Sequence, residues 1–364
     1  MTASATRDDR GTGTWRLLLA MGLASGITSV PNAAIVLAIP TLHQQLDAST
    51  TELQWTVTGP WSSVQTIVAL ALGAGLLAAF VVVERRTAEP LVDLALFARR
   101  NLTGAAIVVF VLDFAFGAAL FFLPAYFEEI RAFSPLTTGL LLLPASVLMM
   151  AAMPLGGKLH DRLGPVIPIV TGMVLAGVAM LVLSRIDAST RYADLWWPLA
   201  MLGLGIGIAL TPMNLCALNA VAQRHHGTGG GIITTLGGLG ATFGVALTGA
   251  VFESAEVDNI VDGAAKAGIS LSDATATTLD GLLSGAPSAT DALDRFPAGQ
   301  QATLKQVVTD GFLSALDTAM VLSFGILVVG IVLTLLLIRR REAVSESPPA
   351  PSVAQPIPAL AQRP

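Results

Sequence analysis

The chain is poor in charge: only 12% of its 364 residues are Asp, Glu, Lys or Arg, against a hydrophobic fraction of 53% and a mean hydropathy of +0.71. A soluble domain of this size cannot be built from such a composition. Cysteine is nearly absent, and the single Cys216 lies inside an apolar run, which excludes an internal disulfide and leaves no thiol-ligated metal site. Packing is the expected job of that residue. Enzyme motifs are missing as well: there is no H-E-x-x-H, no G-x-S-x-G and no pair of acids in the middle of an apolar run. Period-two alternation is absent from the apolar runs, which excludes a transmembrane β-barrel.

Eight apolar stretches make up most of the chain. At about 1.5 Å rise per residue, roughly 20 residues cross a hydrocarbon layer about 30 Å thick. Spans are predicted near 16–40, 63–84, 102–126, 136–156, 165–185, 195–221, 229–253 and 317–338. The fold class expected is an all-α membrane protein of about eight transmembrane helices, in contact with the lipid bilayer. The first run is preceded by a few basic residues, as in a secretory signal. Its apolar core is too long and lacks a small-residue cleavage site before Pro40, so it is read as a retained helix.

The net charge of −5 conceals a sorting of charge by loop. With a cytoplasmic amino terminus, the inner connections carry Arg85, Arg86, Arg99, Arg100, Lys158, Arg162 and Arg224, whereas the short outer ones carry Arg131, Arg185 and Arg191. The positive-inside rule then places both termini in the cytoplasm of a multi-pass plasma-membrane protein. Residues 1–14 and 342–364, the latter with six prolines, read as disordered cytoplasmic tails. The long connection 254–316 reads as an extracellular loop. It holds the acids Glu256, Asp258, Asp262, Asp273, Asp280, Asp291, Asp294 and Asp310, with short helices expected around 257–267 and 301–313.

Gly240 and Gly244 in one span, and Gly203 and Gly207 in another, stand at GxxxG spacing, which lets helix backbones approach closely. Pro31, Pro124, Pro144, Pro154 and Pro212 each free a carbonyl inside an apolar run. The glycines at 203, 205 and 207 are not a dinucleotide fingerprint, since no strand precedes them. Nothing in the sequence points to nucleic acid.

The connection GGKLHDRLGPVIP holds Gly157, Leu159, Asp161, Arg162 and Gly164 at the spacing G-x-L-x-D-R-x-G. It resembles the signature loop of the major facilitator superfamily, where it acts as a conformational latch. Pro165 and Val166 stand where the fuller motif has basic residues, a form usual for the copy in the C-terminal half. VVVERRTAEPLVDLALFARRN, FFLPAYFEEIRAFSPLTTGLLLLP and NAAIVLAIPTLHQQLDASTTELQWTVTG are similar to segments of the fourteen-helix drug/proton antiporter branch, and the match runs over about residues 18–338. After Thr58 and Gly59 the chain passes to Pro60 and Trp61, and six helices of the family pattern, most of the N-terminal domain, are missing. The resemblance implies a remnant first helix with its outer loop at 15–62, a central helix and cytoplasmic connector at 63–100, and a C-terminal six-helix transporter domain at 101–341. It also implies proton-coupled efflux of hydrophobic small molecules such as drugs, driven by the proton gradient without a cofactor. A lone six-helix domain would work with a second copy or with a separate N-terminal half. The alternative is a non-transporting structural or regulatory membrane protein that associates with a full-length transporter.

Within that frame Asp113 is the acid placed mid-span. Val109, Phe110, Phe116 and Gly117 share its helix face. A charge there costs at least ~2.5 kcal/mol, so it must face a bundle interior or wet cavity, as a proton or cation site or as a neutral acid bonded to another helix. Met213 and Asn214, with Thr211 and Asn219, are further cavity candidates, set against ordinary packing by Met and interhelical bonding by Asn. His225 and His226 read as part of a solvated basic loop rather than a metal site, and His160 as part of the latch turn. Asn32 beside Pro31 occupies a place where the branch often carries an acid, which implies that a proton site is lost there.

Overall fold

Two proline-led helix starts and a set of glycine contacts define the architecture in a computed structural model of the chain. The structure describes residues 100–221 and 226–338, together with isolated positions between 68 and 86. Those isolated positions belong to a first unit, Met1–Ala88, and are helical, all but Arg86 falling within the run expected at 63–84. The first expected span, Asn32, the Gly59–Pro60 junction, both tails, Arg224 and His225 lie outside the described residues.

The second unit, Glu89–Pro364, holds eight α-helices among the described residues and no strand. They are α1 (Arg100–Ala125), α2 (Pro135–Leu163), α3 (Val166–Leu183), α4 (Tyr192–Asn219), α5 (His226–Lys266), α6 (Asp273–Asp280), α7 (Pro287–Asp294) and α8 (Ala298–Leu337). A π-helical turn, Tyr126–Ile130, continues α1. Local chemistry sets the starts. Ser134 caps α2, its hydroxyl accepting the Thr137 N–H at 3.3 Å, and Pro135 follows at the first position, where its missing N–H costs nothing. Ser272 caps α6 in the same way. α1 to α5 and α8 are each long and apolar enough to cross a bilayer.

α4 is the hub. It packs most extensively on α2, then on α3, while α1 pairs with α5, and α8 closes the bundle against α5, α1 and α3. Small residues make these crossings possible. A Cβ at Gly203 would strike the Ala145 carbonyl, one at Gly207 the Met149 carbonyl and one at Gly172 the Gly205 carbonyl. On the α1–α5 side, Gly240 lies against the Phe110 carbonyl and Gly244 against that of Phe114. Pro212 leaves the Ile208 carbonyl without its helical donor, and Gly156 of α2 packs directly on that oxygen. Cys216 is buried, its sulfur 3.8 Å from the Asn101 carbonyl.

The connection expected at 254–316 is different in kind from a loop. The helices expected at 257–267 and 301–313 are not separate: they are continuations of α5 and α8, 41 and 40 residues long. At 1.5 Å per residue each runs about 60 Å, twice the hydrocarbon thickness. The projecting ends stay paired, with Gly263 against Val307 and Gly311 against Ile260. α6 and α7 fold back on them, enclosing a second core of Ile260, Ala264, Ile269, Ala276, Leu279, Ala292, Leu293, Leu304 and Val308. Apolar residues every three or four positions on both extensions explain why the helices do not end at the bilayer.

The backbone contacts predict a graded response to added methyl groups. Gly207→Ala should lower the melting temperature of the purified protein in detergent, at a cost of about 1–3 kcal/mol for overpacking. Gly249→Ala, where a Cβ meets nothing within 4 Å, should be neutral or stabilising by up to about 1 kcal/mol from helix propensity. Equal melting temperatures for the two variants would show that the α2–α4 crossing is loose.

Candidate functional site

α1 is buried on most of its surface but leaves one stripe half-covered, running through Ile107, Phe110, Asp113 and Phe116. Phe110 and Phe116 lie within about 60° of Asp113 around the helix and Ile107 lies further round, so the stripe winds along α1 with Asp113 as its polar member. The side chain reaches across to α5. A Cβ built on Gly237 would collide with Asp113 Oδ2 and come within 3.2 Å of Val109 Cγ2. Gly237 therefore provides the space in which the carboxyl lies. One turn away, the rings of Phe110 and Phe243 sit 6.0 Å apart at 51°. Among the described residues Asp113 has no hydrogen bond and no ion pair, so the neighbouring helix supplies room rather than a bonded partner. An acid, an open glycine seat and two aromatic rings thus converge at mid-helix depth between α1 and α5.

The other expected cavity residues are placed differently. Met213 is fully buried in the core. Asn214 is half-buried, and its amide donates to the Leu210 carbonyl of its own helix at 2.9 Å. Thr211 donates to the Met153 carbonyl of α2 at 3.0 Å, a bond between helices. Val109 is buried, and Gly117 lies against the Ala241 carbonyl.

The expected latch is helical, not a loop, as far as Leu163. Regular backbone bonding carries α2 through Gly157, His160, Asp161 and Arg162, and the connection shrinks to Gly164 and Pro165. Gly164 has φ 78° and ψ −180°, a conformation essentially confined to glycine, and its N–H donates to the His160 carbonyl at 2.8 Å. Asp161 and Arg162 are exposed on the last turn of α2, and among the described residues neither is bonded or ion-paired. Gly157 faces α4, with Thr211 Cγ2 3.4 Å from where its Cβ would be.

A profile of the Major Facilitator Superfamily matches residues 19–245. The chain belongs to that superfamily. Among curated relatives, the chain is 34% identical over 193 residues to "Multidrug resistance protein Stp" of Mycobacterium tuberculosis, covering 52% of this chain and 35% of that protein. It is 28% identical over 265 residues to the "Tetracenomycin C resistance and export protein" of Streptomyces glaucescens, covering 71% and 48% of the two chains. The "Lincomycin resistance protein LmrB" of Listeria monocytogenes is 28% identical over 187 residues, covering 51% and 40%. The chain therefore spans less than half the length of these relatives. Their names agree with the drug/proton antiporter resemblance read from the sequence, and the all-helical fold agrees with the superfamily.

Two features escaped the sequence reading. Gly237 precedes Ala241 and Gly244 at small-residue spacing, a signal present in the sequence but not connected to Asp113. Asp317, at the entry to the last apolar run, buries Oδ1 without a hydrogen-bond partner.

Gly164 gives the test of the turn that joins α2 to α3. Gly164→Ala should destabilise the protein by about 1–3 kcal/mol, the cost of forcing a Cβ into this region of backbone space. Thermal unfolding of the variant in detergent measures it, and an unchanged midpoint would show that the turn relaxes without cost.

Proposed function

We propose that the chain acts as the C-terminal half of a proton-coupled exporter of hydrophobic small molecules, with Asp113 as the proton-carrying group. The observation that carries the reading is the Asp113 carboxyl, unpartnered among the described residues and seated over Gly237 beside Phe110 and Phe243. A carboxyl at that depth must gain a proton, water or a cation when it is charged, because hydrocarbon offers nothing else. Exchange of that proton against an apolar substrate lying on the two rings couples the two fluxes. Phe110 and Phe116 supply apolar surface in this scheme, Asn214 lies one helix away, and Gly157, Asp161, Arg162 and Gly164 form the latch at the cytoplasmic end.

Alternating access needs two units that rock about a central site. A second copy or a separate N-terminal half supplies the other unit here. The face available to it includes α2, whose Leu136, Leu140, Leu143, Val147 and Met150 are exposed along one side. Both termini lie in the cytoplasm of the cell membrane, on the balance of Arg and Lys among the loops.

Purified chain in proteoliposomes, with an imposed pH gradient and a lipophilic fluorescent dye, tests the reading. Gradient-driven dye movement is expected. Asp113→Asn should bring it to background, and Gly237→Ala should slow it about tenfold, the ratio that 1.4 kcal/mol of misplacement produces. Undiminished movement in Asp113→Asn removes that carboxyl from the mechanism. No movement in the unmodified chain, with retained binding to a co-expressed transporter, would favour a non-transporting regulatory protein.

A further inference from the structure

Beyond the apolar stretches, where α1 and α5 leave the bilayer-crossing region, acidic side chains from three elements come under one another's charge. Glu129 sits on the π-helical turn that ends α1, Glu256 on the projecting part of α5, and Asp280 on the last residue of α6. Glu256 is only 3% exposed, and among the described residues its Oε1 has no hydrogen-bond partner. Its side chain lies within hydrogen-bonding reach of Asp280, and Glu129 acts on it from the third side. The remaining charged groups that bear on the three are Glu128, beside Glu129, and Glu253, one turn before Glu256. From the elements packed around them, Arg295 after α7 and Lys305 and Asp310 on α8 form no ion pair with them. Every charge in the cluster is therefore negative, and no metal-holding group of His, Cys, Asp or Glu exists among the described residues.

Neighbouring carboxylates without a cation repel, and the buried oxygen of Glu256 has lost its water as well. A proton removes both penalties, since the protonated Glu256 then donates to Asp280. Glu129 lies on the π-helical turn, where the regular ladder of α1 gives out. We propose that Glu256, Asp280 and Glu129 form a proton-held clasp that fastens α6, and with it the α6–α7 cap, onto the outer ends of α1 and α5.

The direction of the pH response follows from burial. Desolvation, then the neighbouring acids, push the Glu129 carboxyl up to about 7, and burial drives the Glu256–Asp280 pair upward as a unit. Groups that titrate higher in the folded state than in the open one stabilise the closed cap below the ordinary carboxylate range. That stabilisation is lost as pH rises through about 7 for Glu129 and further as the pair ionises. The clasp closes in acid and loosens in alkali, whether or not the chain transports anything.

Hydrogen–deuterium exchange of residues 273–294, on the full chain in lipid nanodiscs and corrected for intrinsic exchange rates, reads the clasp directly. Protection at pH 5.5 should exceed that at pH 8.5 by at least about tenfold, the ratio for one proton bound over one pH unit. The double variant Glu256→Gln/Asp280→Asn should show equal protection at both values, and Asp291→Asn, an exposed acid on α7, should keep the full dependence. If the double variant lacks protection in α1 and α8 and so has not folded, Glu129→Gln decides by flattening the response around pH 7. A pH-independent cap in the unmodified chain, or an unchanged dependence in these variants, overturns the proposal. Restored protection at pH 8.5 on adding calcium chloride also overturns it, in favour of a cation as the bridging group.

Discussion

The backbone of α4 touches the backbones of its neighbours, and the bundle depends on that contact. In lipid there is no hydrophobic drive to bring two helices together, because hydrocarbon is as apolar as leucine. What remains is dispersion between closely packed atoms, and it grows only when the axes approach. Gly203 and Gly207 open one side of α4 to the carbonyls of Ala145 and Met149 on α2, and Gly205 opens the opposite side to that of Gly172 on α3, so that a helix seats on each. Pro212 adds a freed Ile208 carbonyl, and Gly156 fills the place left by the missing donor. The same device joins α1 to α5 through Gly240 and Gly244. The aromatic residues then pack around interfaces already fixed by backbone, as in the stacking of Phe122 on Phe252 at 4.8 Å.

Outside the apolar stretches the solvent changes and so does the logic. The projecting ends of α5 and α8, with α6 and α7, enclose Ile260, Leu279, Leu293, Leu304 and Val308, a core of the ordinary water-soluble kind. Here burial of apolar area, at about 25 cal/mol per Å², is the driving term. One pair of helices thus belongs to two packing regimes. Glycine and backbone contacts hold it at one level, and an aliphatic seam holds it at the other, with Phe252 and Phe312 at the junction, their rings 5.2 Å apart.

This division explains what could be read from the sequence. The six apolar runs from residue 102 onward are visible because about 20 consecutive apolar residues have no other stable use. The glycine spacings in α4 and α5 are visible because GxxxG names a geometry. The outer helices are harder, since a stretch of Ala, Thr, Asp and Gly looks like solvated loop until the spacing of Val257, Ile260, Val261 and Ala264 is matched to that of Leu304, Val307 and Val308. That match is tertiary. Site residues divide in the same way. Asp113 stands out by cost alone, while its seat at Gly237 needs the register of α1 against α5. Met213 shows the limit of reading one helix: in a bundle covered on several sides, spacing assigns it a face but not what covers that face. Asp161 and Arg162 are legible as a motif, yet the glycine-only turn belongs to Gly164, and Gly157 serves the contact with α4.

The two acidic centres lie on one helix pair. Asp113 and Glu129 are on α1 and its π-helical end, Gly237 and Glu256 on α5, so the centres stand 16 residues apart on one helix and 19 on the other. At 1.5 Å per residue that is roughly 24–28 Å, the distance from mid-bilayer to beyond its surface. Between them run Gly240, Gly117, Gly244 and the stacked Phe122 and Phe252, contacts too close to slide without clashes. Uncompensated acids are costly in either medium, and helical bundles avoid them where packing alone is at stake. Placing both on one helix pair whose backbones are in contact leaves little local slack to absorb a change in protonation at either. Such a change must be met by water, by a proton or by movement of the pair as a whole.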